Sequence, residues 1–136
     1  MNEETALKRR VIEKPWEDGP RLEFAAWCER AGDRAQGEFI RAQVARAQVH
    51  WRSEEAQRLF QEEMRALWGR TKGTTWWGDF EAVLRRYRER TGKNSLSMKD
   101  VRGCVGGYGG DLADVVAVAA EMFRTEPIER LWVGAG

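Results

Sequence analysis

Apolar residues recur every three to four positions through the first two thirds of the chain, and this periodicity predicts a series of short amphipathic helices. Asn2–Glu13 places Leu7, Val11 and Ile12 on one stripe, and Lys14–Pro15 breaks it. After a polar connection from Trp16 to Gly19, the stretch Asp18–Gln43 reads as a helical hairpin. Pro20 belongs in a first helical turn, with Asp18 or Gly19 as the cap. Leu22, Phe24, Ala25, Trp27, Cys28 and Ala31 give a broad apolar face, Gly32 is the left-handed stop, and Asp33 caps the next helix. That second helix carries Phe39, Ile40, Gln43 and Val44 inward and runs to about Trp51.

Ser53 caps a further helix over Glu54–Gly69, with Leu59, Phe60, Met64, Leu67 and Trp68 at helical period. Arg70–Thr75 is a polar connection. Trp76–Thr91 follows as a helix capped by Asp79, striped by Phe80, Val83, Leu84 and Tyr87, and stopped by Gly92. From Asn94 the pattern changes. Leu96, Met98 and Val101 alternate within Ser95–Val105, and five glycines between Gly103 and Gly110 surround Tyr108 as a loop that cannot be helical. Asp111–Arg124 is a strongly apolar helix (Leu112, Val115, Val116, Val118, Ala119, Met122, Phe123), expected to be buried on most of its surface. Pro127 ends it, Ile128–Val133 alternates like a strand, and Gly134–Gly136 closes the sequence. The expected architecture is mainly α within an α+β class. An antiparallel helical bundle of about four to five helices spans residues 1–93, and a small strand–helix–strand unit with parallel pairing, residues 94–136, packs on it.

Composition narrows the function. The 136 residues suit one domain, and a formal charge of +1, from 23 basic and 22 acidic residues, argues against a dedicated polyanion binder. No apolar run approaches the ~20 residues of a membrane span, the first ten residues do not read as a signal peptide, and Cys28 and Cys104 read as reduced, buried thiols. The expected setting is the cytoplasm, with no membrane partner. The seven tryptophans read first as core filler between helices, and secondly as an exposed binding surface, above all the adjacent pair Trp76 and Trp77.

Chemistry is sparse. His50, the one histidine, has no companion for a zinc site. The glycine-rich segment matches neither phosphate-loop pattern, and Asp111 at the following helix start would repel phosphate. Cys104 is the one candidate nucleophile, with His50 its sole possible base. No catalytic residue, metal ligand or cofactor is therefore assigned, and the protein is not expected to be an enzyme. The most basic face, Arg85, Arg86, Arg88, Arg90 and Lys93 beside Trp76, Trp77 and Tyr87, fits either a solvated helix surface or a single-stranded nucleic-acid site.

The ordered residues Asp18, Pro20, Arg21, Leu22, Phe24, Ala25, Trp27, Glu29, Gly32, Asp33, Glu38, Phe39, Ile40, Arg41 and Gln43 resemble the signature of the bacterial repeat-companion domain. Phe24, Ala26 and Cys28 depart from that family's Tyr, Asp and Leu. Arg102–Val105 and Pro127–Val133 resemble two further landmarks of the family. The resemblance implies a C-terminal unit like a leucine-rich repeat and brings no established catalytic residue. Arg21, Glu38 and Arg41 are expected to form a charge network tying the hairpin, the alternative being a recognition site.

The leading function is a protein-interaction or adaptor module, binding a protein partner or a second copy of itself through exposed aromatic surface and the strand edge of Leu131, Trp132 and Val133. The alternatives are a nucleic-acid accessory protein using the Arg85–Lys93 face, and a small regulator or inhibitor in a bacterial signalling or defence operon.

Overall fold

The computed structural model describes residues 2–70, 76–101 and 103–134, with Val101 as backbone only. The connection after Arg70, Arg102, and the final Ala135 and Gly136 lie outside the described residues. The protein is mainly helical with one small sheet. Its elements run α1 (Glu3–Glu13), α2 (Asp18–Arg30), α3 (Arg34–Arg46), α4 (Glu54–Trp68), α5 (Gly78–Thr91), β1 (Ser97–Val101), β2 (Cys104–Gly110), α6 (Leu112–Thr125) and β3 (Arg130–Val133). No helix among the described residues is long and apolar enough to cross a membrane.

Local chemistry fixes most of the helix ends. The Asn2, Asp33 and Ser53 side chains accept from Thr5, Gln36 and Ala56 N–H, each satisfying a donor the helix leaves orphaned, at about 1 kcal/mol apiece. Gly32, at φ 98°, turns the chain after α2 while Asp33 N–H bonds back to Cys28 O at 2.8 Å, the paired closure of a Schellman end. Gly92, at φ 73°, stops α5.

Three expected ends are corrected. Glu17 caps α2 without a side-chain bond, so Asp18 is the first helical residue and Pro20 the third. Pro20 still lies in the first turn, where its missing N–H costs nothing. Trp77, not Asp79, caps α5, since the Asp79 carboxylate is engaged by Lys8 at 2.6 Å. Finally, α3 ends at Arg46, well short of Trp51, and the chain turns through His50 to the Ser53 cap.

Two apolar clusters hold the chain together. Leu7, Val11, Phe24, Ala25, Cys28, Ile40 and Val44 form the core of α1–α3, joined there by Cys104 of β2. Phe80, Val83 and Tyr87 of α5 meet Val105 and Tyr108 of β2, Val115, Val118 and Met122 of α6, and Ile128. A smaller group packs Phe39 against Ala66 and Trp76.

The α4 stripe also differs from expectation. Its buried positions are Ala56, Leu59, Glu63 and Ala66, while Phe60 and Trp68 are exposed. The helix is rotated to bring the Glu63 carboxylate inward. There Glu63 accepts from Gln43 Nε2 at 2.8 Å and pairs with Arg46. The Gln43 amide also donates to Asp100 and accepts from Gly103 N–H at 2.6 Å, so one side chain links α3, α4 and the β1–β2 turn.

The sheet has the order β1-β2-β3, with β1–β2 antiparallel and β2–β3 parallel across α6. The strand–helix–strand unit thus stands as expected, but the glycine-rich segment is its central strand rather than a loop. The reason is tertiary. Gly109 lies directly opposite Trp132, whose indole occupies the space a Cβ at Gly109 would need. Lys99 pairs with Gly107 and Asp100 with Val105, leaving Gly106 as an extra residue, a bulge that aims both Val105 and Tyr108 into the same core.

Candidate interaction surface

The scaffold first positions the end of the chain. Arg21, fully buried in α2, donates to Pro15 O at 2.8 Å, lies 3.7 Å from Glu129 just before β3, and hydrogen-bonds Cys104. Lys8 of α1 bonds Glu126, just after α6, at 3.2 Å. Two helices of the bundle thereby grip the two ends of the short α6–β3 connection, and Glu129 N–H adds a bond to Gly106 O at 2.8 Å.

This arrangement corrects the expected charge network. Arg21 turns away toward β3, Glu38 pairs with Arg34 one turn earlier, and Arg41 pairs with Glu29 of α2. Of the three, it is Arg41 that pairs across the hairpin, with Glu29. Glu38 and Arg41 are exposed, where such pairs contribute about 0–1 kcal/mol. Trp27 is half-buried and stacked on Phe24 at 6.0 Å, a packing role as expected.

Burial pushes the Glu126 carboxyl up to about 7, against the pull of Lys8 and of the Phe80 N–H. Its folded value lies above the ordinary 4.5, so the folded state binds more protons than the unfolded one between these values. Stability is therefore expected to fall as pH rises from about 4.5 to about 7. Glu126→Gln should flatten that slope in thermal melts taken across the window. An unchanged slope would assign the dependence elsewhere.

What the scaffold presents is an apolar surface. Tyr108 points toward α6 and bonds Val115 O at 2.9 Å, and Leu131 is its register partner on β3. Paired residues of parallel strands share a face, so Leu131 and Val133 lie on the α6 side and Trp132 on the other, over Gly109. All of β3 is exposed. On α6 the buried face is Asp114, Val115, Val118 and Met122. One flank of it holds Glu121, paired with Arg86 of α5. The opposite flank carries Leu112, Val116 and Phe123, at spacings of four and seven, all exposed. Because α5 packs on the β1 side, through Met98 and Leu96, that second flank faces the β3 side. Leu131 and Val133 lie on the same side of the sheet as this flank, and the five residues have exposures from 48% at Phe123 to 64% at Val116. Trp132 extends the open edge on the other face.

The expectation that α6 is buried on most of its surface is therefore corrected: one face is buried and one apolar flank is open. Leu112, Val116 and Phe123 are the interface candidates that sequence reasoning missed. The signal lay in a helix apolar nearly all round at the end of a small domain, where one sheet can cover only one face.

The other proposed contacts separate. Trp76 is buried against Phe39 at 5.2 Å and donates to Asp33 Oδ2 at 2.9 Å, so it is a core residue and not part of an exposed pair. Trp77 is half-buried. With Phe80, Leu84, Arg85, Arg88 and Met98 it lines an open groove of about 660 Å³ between α5 and β1. Arg85, Arg86 and Arg88 are exposed, but Arg86 is neutralised by Glu121, and Lys93 lies 3.8 Å from Asp114. The general reading of tryptophan as core filler is also corrected, since Trp16, Trp51 and Trp68 are exposed. Trp51 keeps contacts with its sequence neighbours, Arg52 at 4.4 Å and His50 stacked at 6.0 Å, while staying exposed.

Several other polar groups have structural partners. The hydroxyls of Ser95 and Tyr87 hold the Asp114 carboxyl below the usual carboxylate range, fastening α6 to α5 and to the lead into β1. Burial raises the Cys104 thiol and, with Asp33 adding to it, pushes Cys28 up to about 12. Both are free and buried, and both stay protonated at neutral pH. His50 is exposed on the turn before α4, so the two sets of atoms a cysteine mechanism would need are not brought together.

Fold and site together define a helical scaffold that carries a strand–helix–strand unit with an open apolar edge. Compared with protein-family models, with curated proteins and with solved structures, the chain matches none.

Proposed function

We propose that this protein is a non-enzymatic interaction module of the repeat-companion kind, acting in the cytoplasm, which docks a protein partner on the β3 edge and the adjoining flank of α6. The observation that carries the reading is the exposure of every residue of β3, an edge strand bearing Leu131, Trp132 and Val133. An unprotected apolar edge is a liability for a protein that works alone, and main-chain pairing along such an edge is a recurrent mode of recognition. The Lys8–Glu126 and Arg21–Glu129 contacts support it further, because they hold the edge rigidly on the bundle and lower the ordering cost of binding.

Trp132→Asp tests the reading. The charge falls on a residue 38% exposed at the centre of the β3 edge. Capture of partners by affinity purification should be lost while the far-ultraviolet helical signal is kept. A variant that folds and still captures the same partners would refute the assignment. The nucleic-acid alternative draws support from exposed Arg85 and Arg88 beside Trp77, without the second stacking ring at Trp76 that a platform would use.

A further inference from the structure

We infer that the partner on this surface is a second copy of the chain, paired β3 to β3 in antiparallel register about a two-fold axis through Trp132. The inference rests on the interaction reading above and commits it to one occupant.

Backbone direction supplies the first argument. Gly134 N–H bonds to Gly110 O at 3.0 Å, so by the alternation of a strand the N–H and C=O groups of Leu131 and Val133 point away from β2, to the open edge. An antiparallel partner strand centred on Trp132 sets Leu131 opposite Val133 of the other copy, in the pair that exchanges both hydrogen bonds. The two Trp132 residues face each other in the closer, non-bonded pair. Two three-stranded sheets become one continuous sheet, and neither β3 edge remains open.

Placement of the helices supplies the second. A two-fold axis normal to the sheet keeps both copies of α6 on the same face, with the Leu112, Val116 and Phe123 flanks turned toward each other across the joined strands. Ala119 and Ala120 lie along this flank and permit close approach.

Charge decides between a copy and a stranger. Symmetry brings each residue near its own image, where a like charge would repel. The flank carries none: Leu112, Val116, Ala119, Ala120 and Phe123 are all apolar, in a chain that is one-third charged. In the stated register Arg130 falls opposite Gly134 rather than opposite itself. The exposed parts of the six apolar side chains amount to roughly 500 Å² per copy, taking ~150–250 Å² for the aromatic residues and about 150 Å² for Leu and Val. With strand backbone and the alanines added, that approaches the ~800 Å² per partner of a stable interface.

The test uses the full chain in light scattering and sedimentation. The wild type should show twice the monomer mass of 15.7 kDa, and Val116→Lys, at a side chain that is already exposed, should return it to 15.7 kDa with an unchanged circular dichroism spectrum. Register is tested by Trp132→Cys, which places the two Cα atoms about 4.5 Å apart, within disulfide range. Mild oxidation should cross-link that variant covalently, as read on a non-reducing gel, and leave Arg34→Cys, on the far hairpin, without a cross-link. A wild type that stays at 15.7 kDa at its highest soluble concentration overturns the two-fold pairing. In that case a different protein captured by the wild type and lost in Val116→Lys would leave the surface as an interface for another partner. Identical capture by both would remove the interface reading as well.

Discussion

Replacing Arg21 with Met should lower stability by about 3–5 kcal/mol, the largest effect expected of any side chain in the signature hairpin. Arg21 is fully buried, yet it serves distant elements: the Pro15 carbonyl before α2, Cys104 in β2, and Glu129 at the entrance to β3. Methionine fills much of the volume but removes the donor to the half-buried Pro15 carbonyl and the cation beside Glu129, and losing contacts made by a fully buried charged group is what makes the effect large. Urea denaturation gives the number. Arg41→Met is the control, because Arg41 and Glu29 form an exposed pair and should contribute under about 1 kcal/mol. Hydrogen exchange adds a spatial readout: Arg21→Met should speed exchange in β3 and its lead before it does so in α4. Equal losses for the two arginines would contradict the assignment of Arg21 as the link between hairpin and strand.

Glu63→Ala should cost a similar amount, about 3–5 kcal/mol. The Glu63 carboxylate, 1% exposed, receives both Gln43 and Arg46, while Gln43 continues to Asp100 and the Gly103 N–H. Removing it opens a cavity beside the partly exposed Arg46 guanidinium, leaves the buried Gln43 Nε2 with one acceptor fewer and loosens the amide that positions the β1–β2 turn. Glu63→Gln, which keeps the shape and one acceptor, should lose clearly less. The two midpoints from thermal melts separate the acceptor from the charge. Equal losses would mean that the charge alone matters and that the Gln43 bond contributes nothing.

Signals carried by near neighbours were legible from the sequence. Gly32, Gly92, Asp33 and Ser53 act within one helical turn, and each does what its chemistry predicts. The mainly α architecture with a terminal strand–helix–strand unit was readable for the same reason, since helical periodicity is local. The misread positions are those decided by contacts distant in sequence. Gly107 and Gly109 oppose strand propensity, and it is the Trp132 indole lying on Gly109, with the Arg130 backbone close to Gly107, that favours glycine there. Glu63 sits on the inner face because Arg46 and Gln43 wait there, which displaces Phe60 and Trp68 outward. Trp76 is core because Asp33, already spent as a helix cap through Oδ1, offers its second oxygen to the indole. The candidate surface was half visible. Strand alternation flagged Leu131, Trp132 and Val133, but the flank of α6 beside them needed the sheet order and the Arg86–Glu121 contact to fix which side was open.

The central claim is that the β3 edge and the α6 flank, rather than the signature hairpin, form the working surface. Site-specific photo-cross-linking in the native cells tests it most directly, with a benzophenone side chain placed in turn at Leu131, Val116 and Arg34, all exposed. The account predicts one discrete cross-linked species shared by positions 131 and 116, whether with a second copy or another protein, and none from position 34. A species trapped only from position 34, or none from position 131, would contradict it.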